Sequence, residues 1–151
     1  MNRHDGREVA RPPLALELGL EPHPEGGWYR RMWAASEVVQ TARGRRSAAT
    51  AIHYLLEPGE RSRRHRVTGD ELWLWHSGGP LSLTHSASPH DTAAATFLLG
   101  PDRAAGQVLS ATVPGGQWQS ARSLGPEPVL VTCVVAPGFD WADFTMLQDD
   151  D

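Results

Sequence analysis

Short apolar or alternating segments recur along this chain, and glycine or proline residues separate most of them. This spacing is typical of β-strands joined by turns, because a strand needs only about four to eight residues. The predicted strands cover residues 28–35, 47–56, 61–67, 71–76, 81–85, 92–99, 107–113, 117–123, 128–136 and 139–147. A short helix is predicted over residues 12–20, with proline in its first turn and Gly19 near its end. The pattern therefore predicts an all-β fold: an antiparallel sandwich, a jelly roll or a barrel.

Three local patterns add detail to this fold. Residues 128–136 are strongly apolar and β-branched, which predicts a central strand. Residues 92–99 and 107–113 are predicted to pair with each other around the turn at 100–103, and 41–46 is predicted to be a basic turn. No change in composition indicates a second domain. One domain over 12–147 is expected, between a flexible N-terminus at 1–11 and an acidic tail at 148–151.

The alternation in residues 71–76 gives the strand two different faces. In an extended strand Glu71, Trp73 and Trp75 share one face, and Leu72, Leu74 and His76 share the other. A carboxylate aligned with two tryptophans is unusual for a core and suits the wall of a binding pocket. The face that carries His76 is expected to lie outside the fold.

Composition excludes several classes of function. The net charge of −4 over 151 residues gives no basis for binding nucleic acid, and the arginines at 61–66 form only a local cluster. The single cysteine, Cys133, cannot form an intramolecular disulfide and is expected to be a buried, inert thiol. No apolar run has the length of a membrane span, and residues 1–13 do not resemble a secretory signal. These features favour a soluble, cytoplasmic protein without nucleic-acid or membrane partners.

Two spacings match the motifs of a known superfamily. Gly59 is followed by five residues, then His65, one residue, Val67, three residues, Glu71, six residues and Gly78. In a second run, two residues separate Pro114-Gly115-Gly116 from Gln119. Both runs resemble the cupin motifs, with valine and glutamine at positions where cupins carry histidine.

Further blocks resemble a small single-domain branch of the cupins, Cupin_5, whose functions are mostly unassigned. They are PHPEGGWYR at 22–30, TAIHYLL at 50–56, HRVTGDELWLWHSGGPL at 65–81, LGPD at 99–102, VPGGQWQSARSLG at 113–125 and TCVVAPGFDWADF at 132–144. The resemblance spans about residues 13–147. It implies a β-jelly-roll barrel with a ligand pocket inside it, and commonly a homodimer.

The resemblance also implies a metal site, but the valine and the glutamine at two of the histidine positions weaken that expectation. A typical cupin site uses three histidines and a glutamate, a donor set that suits Fe, Mn, Ni or Zn. If this chain bound a divalent transition metal, His65, Glu71 and Gln119 would be the ligands, and His53 could replace a missing one. Valine cannot ligate and a glutamine oxygen is a weak donor, so no tightly held metal is expected.

Without a metal, His65 and Glu71 form a polar pair in an apolar cavity, which is an acid–base arrangement. We expect His65 to act as base, Glu71 to orient it, and Tyr54 or Tyr29 to act as acid. The expected ligand contacts are Trp73, Trp75, Gln119, Arg30, His53 and Tyr29.

The leading hypothesis is a cupin that binds a small polar molecule, with isomerase, epimerase or lyase activity. The alternatives are a metal-dependent dioxygenase or isomerase, and a non-catalytic binding module. The same residues also allow an interpretation without chemistry. In it, His65 is a structural, hydrogen-bonding histidine, and Glu71 forms a salt bridge with Arg64 or Arg66.

Overall fold

The computed structural model describes residues 10–90 and 95–148, so most of the predicted N-terminus and acidic tail lie outside the described residues. Its one α-helix in this range, α1, spans Pro13–Leu18. The strands are β1 Glu21–Pro22, β2 Trp28–Ala34, β3 Val38–Thr41, β4 Gly44–Ser47, β5 Thr50–Leu56, β6 Arg61–Arg66, β7 Asp70–Gly78, β8 Leu81–Ser86, β9 Ala95–Leu99, β10 Ser110–Val113, β11 Trp118–Ser123, β12 Val129–Ala136 and β13 Thr145–Met146. Short 3-10 helices span Arg103–Ala105 and Trp141–Asp143.

Two antiparallel sheets form the body of the molecule, which confirms the predicted all-β jelly roll. The larger sheet has the order β1-β2-β5-β12-β7-β10, and the smaller has the order β13-β6-β11-β8-β9. Strand β12 lies between β5 and β7, as its apolar sequence predicts. No helix in the described residues is long and apolar enough to cross a membrane.

The core lies between the inward faces of the sheets. Leu56, Leu83, Val129 and Val131 have no exposed surface, and Trp73 is also fully buried. Full burial of each aliphatic side chain stabilises the fold by about 1.5–3 kcal/mol. This core fills one part of the space between the sheets and leaves a cavity in another part.

The helix forms where proline and glycine predict it. Pro13 lies in its first turn, and Gly19 ends it in the left-handed region at φ 68°. The helix buries Ala15, and Leu20 just beyond it packs with Trp28. Leu16 is exposed, because four leucines in strict alternation cannot share one face of a helix.

The predicted pairing of 92–99 with 107–113 as neighbouring strands is wrong, and within the described residues the two segments share only one isolated parallel bridge, between Leu99 and Val108. Strand β9 pairs with β8 in the smaller sheet, whereas β10 pairs with β7 in the larger one. The chain between them therefore passes from one sheet to the other. Residues 92–94 of the predicted strand lie outside the described residues.

Two further segments differ from the prediction. Residues 41–46 belong to a hairpin of β3 and β4 rather than to a simple basic turn. Residues 139–147 form a 3-10 helix and the two-residue strand β13 instead of one long strand. Asp140 caps this helix, because its carboxylate accepts a hydrogen bond from the Ala142 amide.

Candidate functional site

A cavity of about 380 Å³ opens between the sheets. Its polar side chains include His65, Glu25 and Glu71, and its aromatic ones are Tyr29, Phe139, Trp141 and Phe144. The rest of the lining consists of His23, Arg31, Thr50, Ile52, Val67, Cys133, Val135 and Asp140. Its size and its few convergent polar groups in an apolar wall are typical of a small-molecule site.

His65 lies on β6 and is held at both ring nitrogens. Nδ1 lies 2.7 Å from the carbonyl oxygen of Arg63, and Nε2 lies 3.0 Å from a carboxylate oxygen of Glu25. Because both partners are acceptors, both nitrogens must carry a proton, and the ring is an imidazolium. Burial alone would lower the pKa of His65, but the Glu25 carboxylate, Glu71 and the Arg63 carbonyl together outweigh burial and raise the pKa to about 9.

Glu25 is supplied by the turn between β1 and β2. The Glu25 carbonyl accepts a hydrogen bond from the Arg63 amide at 2.7 Å, which ties this turn to β6. Gly26 has φ 108°, and a Cβ there would lie 2.2 Å from the Arg61 carbonyl oxygen, so only glycine allows this approach. Although burial opposes ionisation, the charge of His65 lowers the pKa of Glu25. Glu25 and His65 therefore form a buried ion pair.

Glu71 lies on β7 and is oriented by two further side chains. Gln119 Nε2 donates to Glu71 Oε1 at 2.8 Å, and Trp73 Nε1 donates to Gln119 Oε1 at 3.0 Å. The Trp73 bond fixes which end of the glutamine amide faces Glu71. Burial raises the pKa of Glu71 to about 7, against the opposing charge of His65 and with added repulsion from Glu25. This carboxyl group is therefore poised to gain or lose a proton near neutral pH.

The structure brings three of the predicted site residues to the cavity: His65, Glu71 and Tyr29. Tyr54 is fully buried below it, where its hydroxyl donates to the Gly26 carbonyl. Burial and the Glu25 charge raise the pKa of Tyr54 well above its ordinary value. These contacts correct its expected role as an acid, because its proton is already committed to a backbone acceptor.

The predicted ligand contacts Trp73, Trp75 and Gln119 face inward but do not line the cavity. Trp73 and Gln119 lie behind Glu71 and orient it. Trp75 packs against the core and donates to the Gly79 carbonyl at 3.0 Å. They support the site from behind instead of contacting a ligand.

Arg30 and His53 lie on the outer face of the larger sheet, which corrects their expected place in the pocket. They are opposite each other in the β2–β5 ladder. The ring of His53 lies 6.1 Å from that of His76, which is exposed as expected. The cavity instead receives Arg31, the next residue of β2.

The aromatic wall comes mainly from the segment after β12. Ring centroids of Phe139 and Trp141 lie 4.9 Å apart, and those of Trp141 and Phe144 lie 5.3 Å apart, both edge to face. Phe144 also stacks on His65 at 5.6 Å. Arg31 donates to the Phe139 carbonyl at 3.1 Å and so joins this segment to β2.

The β3–β4 hairpin anchors the same segment. Asp143 accepts hydrogen bonds from Arg46 Nε and Arg43 Nε, each at 2.8 Å, and Arg43 also donates to the Ala142 carbonyl. Asp143 thus fixes the 3-10 helix that carries Trp141. The hairpin, which the sequence did not predict, is part of the support of the cavity wall.

Substituting asparagine for Asp143 should destabilise the protein at pH 7 but not near pH 2. Hydrogen bonds from Arg46, then Arg43, hold the pKa of Asp143 at about 2, against burial. Since the folded pKa lies below the unfolded one, the stabilisation is complete above about pH 4 and disappears as the pH falls through 2. Urea unfolding of both proteins across this range measures the difference. Arg46→Gln should behave similarly and the exposed Arg45→Gln should not; a pH-independent effect of Asp143→Asn would contradict the assignment.

The side chains at the cupin metal positions do not fit a transition metal. Val67 offers no ligand atom, and both nitrogens of His65 are already bonded to protein oxygens. The side-chain oxygen of Gln119 accepts from Trp73, and His53 lies on the outer face. In residues 10–90 and 95–148, no three His, Cys, Asp or Glu side chains are arranged to hold a metal ion.

The jelly roll agrees with the comparison to known families. The family model described as Cupin superfamily (DUF985), Cupin_5, matches residues 14–147. The chain belongs to this family. Uncharacterized protein YML079W of Saccharomyces cerevisiae is 29% identical over 93% of this chain and 79% of its own length.

Solved structures extend the comparison. A hypothetical protein from Leishmania major and protein SO0799 from Shewanella oneidensis are each 34% identical to this cupin, with a TM-score of 0.80. They cover 88% and 89% of this chain, and the match spans 84% and 82% of their own chains. Oxalate decarboxylase from Bacillus subtilis is 20% identical, with a TM-score of 0.60 over 86% of this chain and 30% of its own. At that identity the last match indicates the fold alone.

Proposed function

We propose that this cupin binds a small polar carbonyl compound in its cavity and isomerises it by proton transfer, without a bound metal. The observation that carries the proposal is the position of Glu71. Its buried carboxyl group lines the cavity beside an imidazolium that Glu25 holds in its charged form. A carboxyl group with a pKa near 7 next to a fixed positive charge suits the removal of a proton from carbon.

The reaction needs one group to carry the proton. The Glu71 carboxylate takes a proton from the carbon next to the substrate carbonyl, and the C–H electron pair becomes the C=C bond of an enolate. Negative charge develops on the former carbonyl oxygen, where the charge of His65 stabilises it. When the acidic carbon also carries a hydroxyl group, that hydroxyl proton passes to the enolate oxygen and Glu71 returns its own proton to the former carbonyl carbon. The hydroxyl-bearing carbon then becomes the new carbonyl group, and all atoms are conserved.

This mechanism changes the roles expected from the sequence. His65 is unsuited to act as base, because both its nitrogens carry protons and face acceptors. Glu71 takes the role of base, and Glu25, which was not among the predicted residues, takes the role of orienting carboxylate. A single proton carrier favours isomerisation over epimerisation, which generally needs a second group on the opposite face of the substrate.

Hydrogen exchange tests the proposal without knowledge of the natural substrate. Phenylpyruvate and dihydroxyacetone both carry acidic C–H bonds next to a carbonyl group and fit a cavity of this size. In D₂O, the wild-type protein should exchange these protons in at least one of the two probes faster than buffer does, as followed by ¹H NMR. No exchange above the buffer rate in either probe would contradict the proposed function and would favour a non-catalytic binding module.

Elemental analysis distinguishes the metal-free proposal from a metal-dependent cupin. Protein purified without chelators should contain far less than one Fe, Mn, Ni or Zn per chain by elemental analysis, because His65 has no free nitrogen. Overnight treatment with a chelator should leave the exchange rate unchanged. A stoichiometric metal that is lost in His65→Ala would contradict the metal-free reading.

A further inference from the structure

His23 is a second histidine in the cavity, and neither motif contains it. It lies in the turn before β2, where its amide donates to the Gly27 carbonyl at 2.9 Å. Its side chain is only 6% exposed and lines the cavity. Its ring packs edge to face against Tyr29 with centroids 4.4 Å apart, and it also contacts Trp141 and Phe144. The ring is therefore fixed in one orientation by its neighbours.

The backbone fixes which nitrogen of His23 carries the proton. The Glu25 amide donates a hydrogen bond to His23 Nδ1 at 3.1 Å, so Nδ1 must hold a lone pair. Burial lowers the pKa of His23, against the attraction of Glu25, so the ring is neutral at pH 7. A neutral ring with an unprotonated Nδ1 carries its hydrogen on Nε2.

That Nε2–H group has no hydrogen-bond partner in the parts of the chain that the structure describes. A donor on a nine-tenths buried ring normally has a partner, because leaving it unpaired costs free energy. His23 belongs to the lining of the cavity, so the unused donor is available to a bound molecule.

We propose that His23 is the electrophile of the reaction and donates a hydrogen bond from Nε2 to the carbonyl oxygen of the substrate. This inference rests on the proposed function and adds a second catalytic residue to it. As Glu71 removes the proton from carbon, the oxygen gains negative charge and the hydrogen bond strengthens. The proton of Nε2 stays on His23 throughout, so the overall proton transfer remains the one carried out by Glu71.

A neutral imidazole is suited to this role. It can polarise a carbonyl group without a full charge, as in other enzymes that form enediolates. In this cavity Glu25 organises both histidines: its amide sets the neutral tautomer of His23, and its carboxylate holds His65 as an imidazolium. The substrate must therefore carry a hydrogen-bond-accepting oxygen next to its acidic carbon, as carbonyl compounds do.

The protonation state can be tested on the wild-type protein alone. Long-range ¹H–¹⁵N NMR of ¹⁵N-histidine-labelled protein at pH 7 should show Nδ1 of His23 unprotonated and Nε2 protonated. In the same spectrum both nitrogens of His65 should be protonated. A proton on Nδ1 of His23 would overturn the inference, whatever the outcome for the proposed function.

The catalytic role can be tested in the exchange assay with phenylpyruvate and dihydroxyacetone. His23→Phe keeps the ring packing but removes the donor, and should slow exchange on the order of 100-fold, mainly in kcat. His23→Gln restores an N–H donor and should recover part of this loss. His76→Gln, on the exposed outer face, is the matched control and should exchange at the wild-type rate.

The outcomes separate the two proposals. If His23→Phe exchanges the probe protons as fast as the wild type, the role of His23 is overturned and the proposed role of Glu71 stands. Wild-type protein without exchange would overturn both. If His23→Phe fails to fold, as judged by thermal unfolding, slower exchange in His23→Gln than in the wild type together with the predicted tautomer supports the inference. A rate for His23→Gln equal to that of the wild type, or a proton on Nδ1, overturns it.

Discussion

Replacing Glu71 with glutamine should slow exchange of the probe protons by about 100-fold or more, because the variant has no carboxylate to accept the proton. The substitution keeps the shape of the side chain and an oxygen that can accept from Gln119, so the fold should be retained. The measurement is the ¹H NMR exchange rate in D₂O, with thermal unfolding to confirm the fold. Glu127→Gln, at an exposed position, is the matched control and should match the wild type.

The pH profile of exchange by the wild-type protein should identify the same group. The rate should rise through about pH 7 as Glu71 ionises, and fall through about pH 9 as His65 loses its charge. The groups that face Glu71 are His65, Glu25, Gln119 and Cys133, and of these only His65 changes its charge within this pH range. A profile without the limb near pH 7, or full exchange in Glu71→Gln, would contradict the role of Glu71.

The second large effect is expected at Glu25. Glu25→Gln removes the charge that keeps His65 protonated, and breaking a buried ion pair in this way typically costs about 3–5 kcal/mol of stability. The cost should fall near the lower end, because His65 can respond by losing its proton. Without the Glu25 charge, burial lowers the pKa of His65 from its value of about 9 in the wild type.

The pH dependence of this loss has a defined sign. Because the folded pKa of His65 is raised, its contribution is complete below about pH 6.5 and disappears as the pH rises through 9. Urea unfolding should therefore find the largest difference between wild type and Glu25→Gln near pH 6, and a smaller one at pH 9. The exposed Glu37→Gln serves as control, and a loss that grows with pH would contradict the ion pair.

The motif spacing predicted two of the three buried charged groups in the cavity, His65 and Glu71, but not Glu25. His65 and Glu71 lie close together in the sequence, on consecutive strands, so the pattern of a single stretch could place them in one cavity. Glu25 lies forty residues before His65, in a turn rich in proline and glycine. Only the tertiary contact with β6 reveals its partner. The only sequence signal for this part of the site was the presence of a histidine, His23, and a carboxylate, Glu25, in that turn.

Strand periodicity placed side chains well where it was applied strictly. Consecutive residues of a strand face opposite sides, so Tyr29 and Arg30 cannot both face the cavity. Both residues were expected to contact a ligand, but the cavity is lined by Tyr29 and Arg31. Alternation also predicts which segments form strands, but it does not predict which strands pair. For that reason the predicted pairing of β9 with β10 was wrong. Strand pairing depends on how two sheets close over one core, which local patterns do not encode.

The most direct test of this account is an NMR pH titration of the two central groups in the intact protein. With ¹³C-labelled glutamate carboxyl groups and ¹⁵N-labelled histidine, Glu71 should titrate at about 7 while His65 stays doubly protonated up to about 9. Assignment by comparison with Glu71→Gln and Glu25→Gln identifies the signals. Titration of Glu71 near 4.5 together with His65 near 6.5, their ordinary values, would contradict the account.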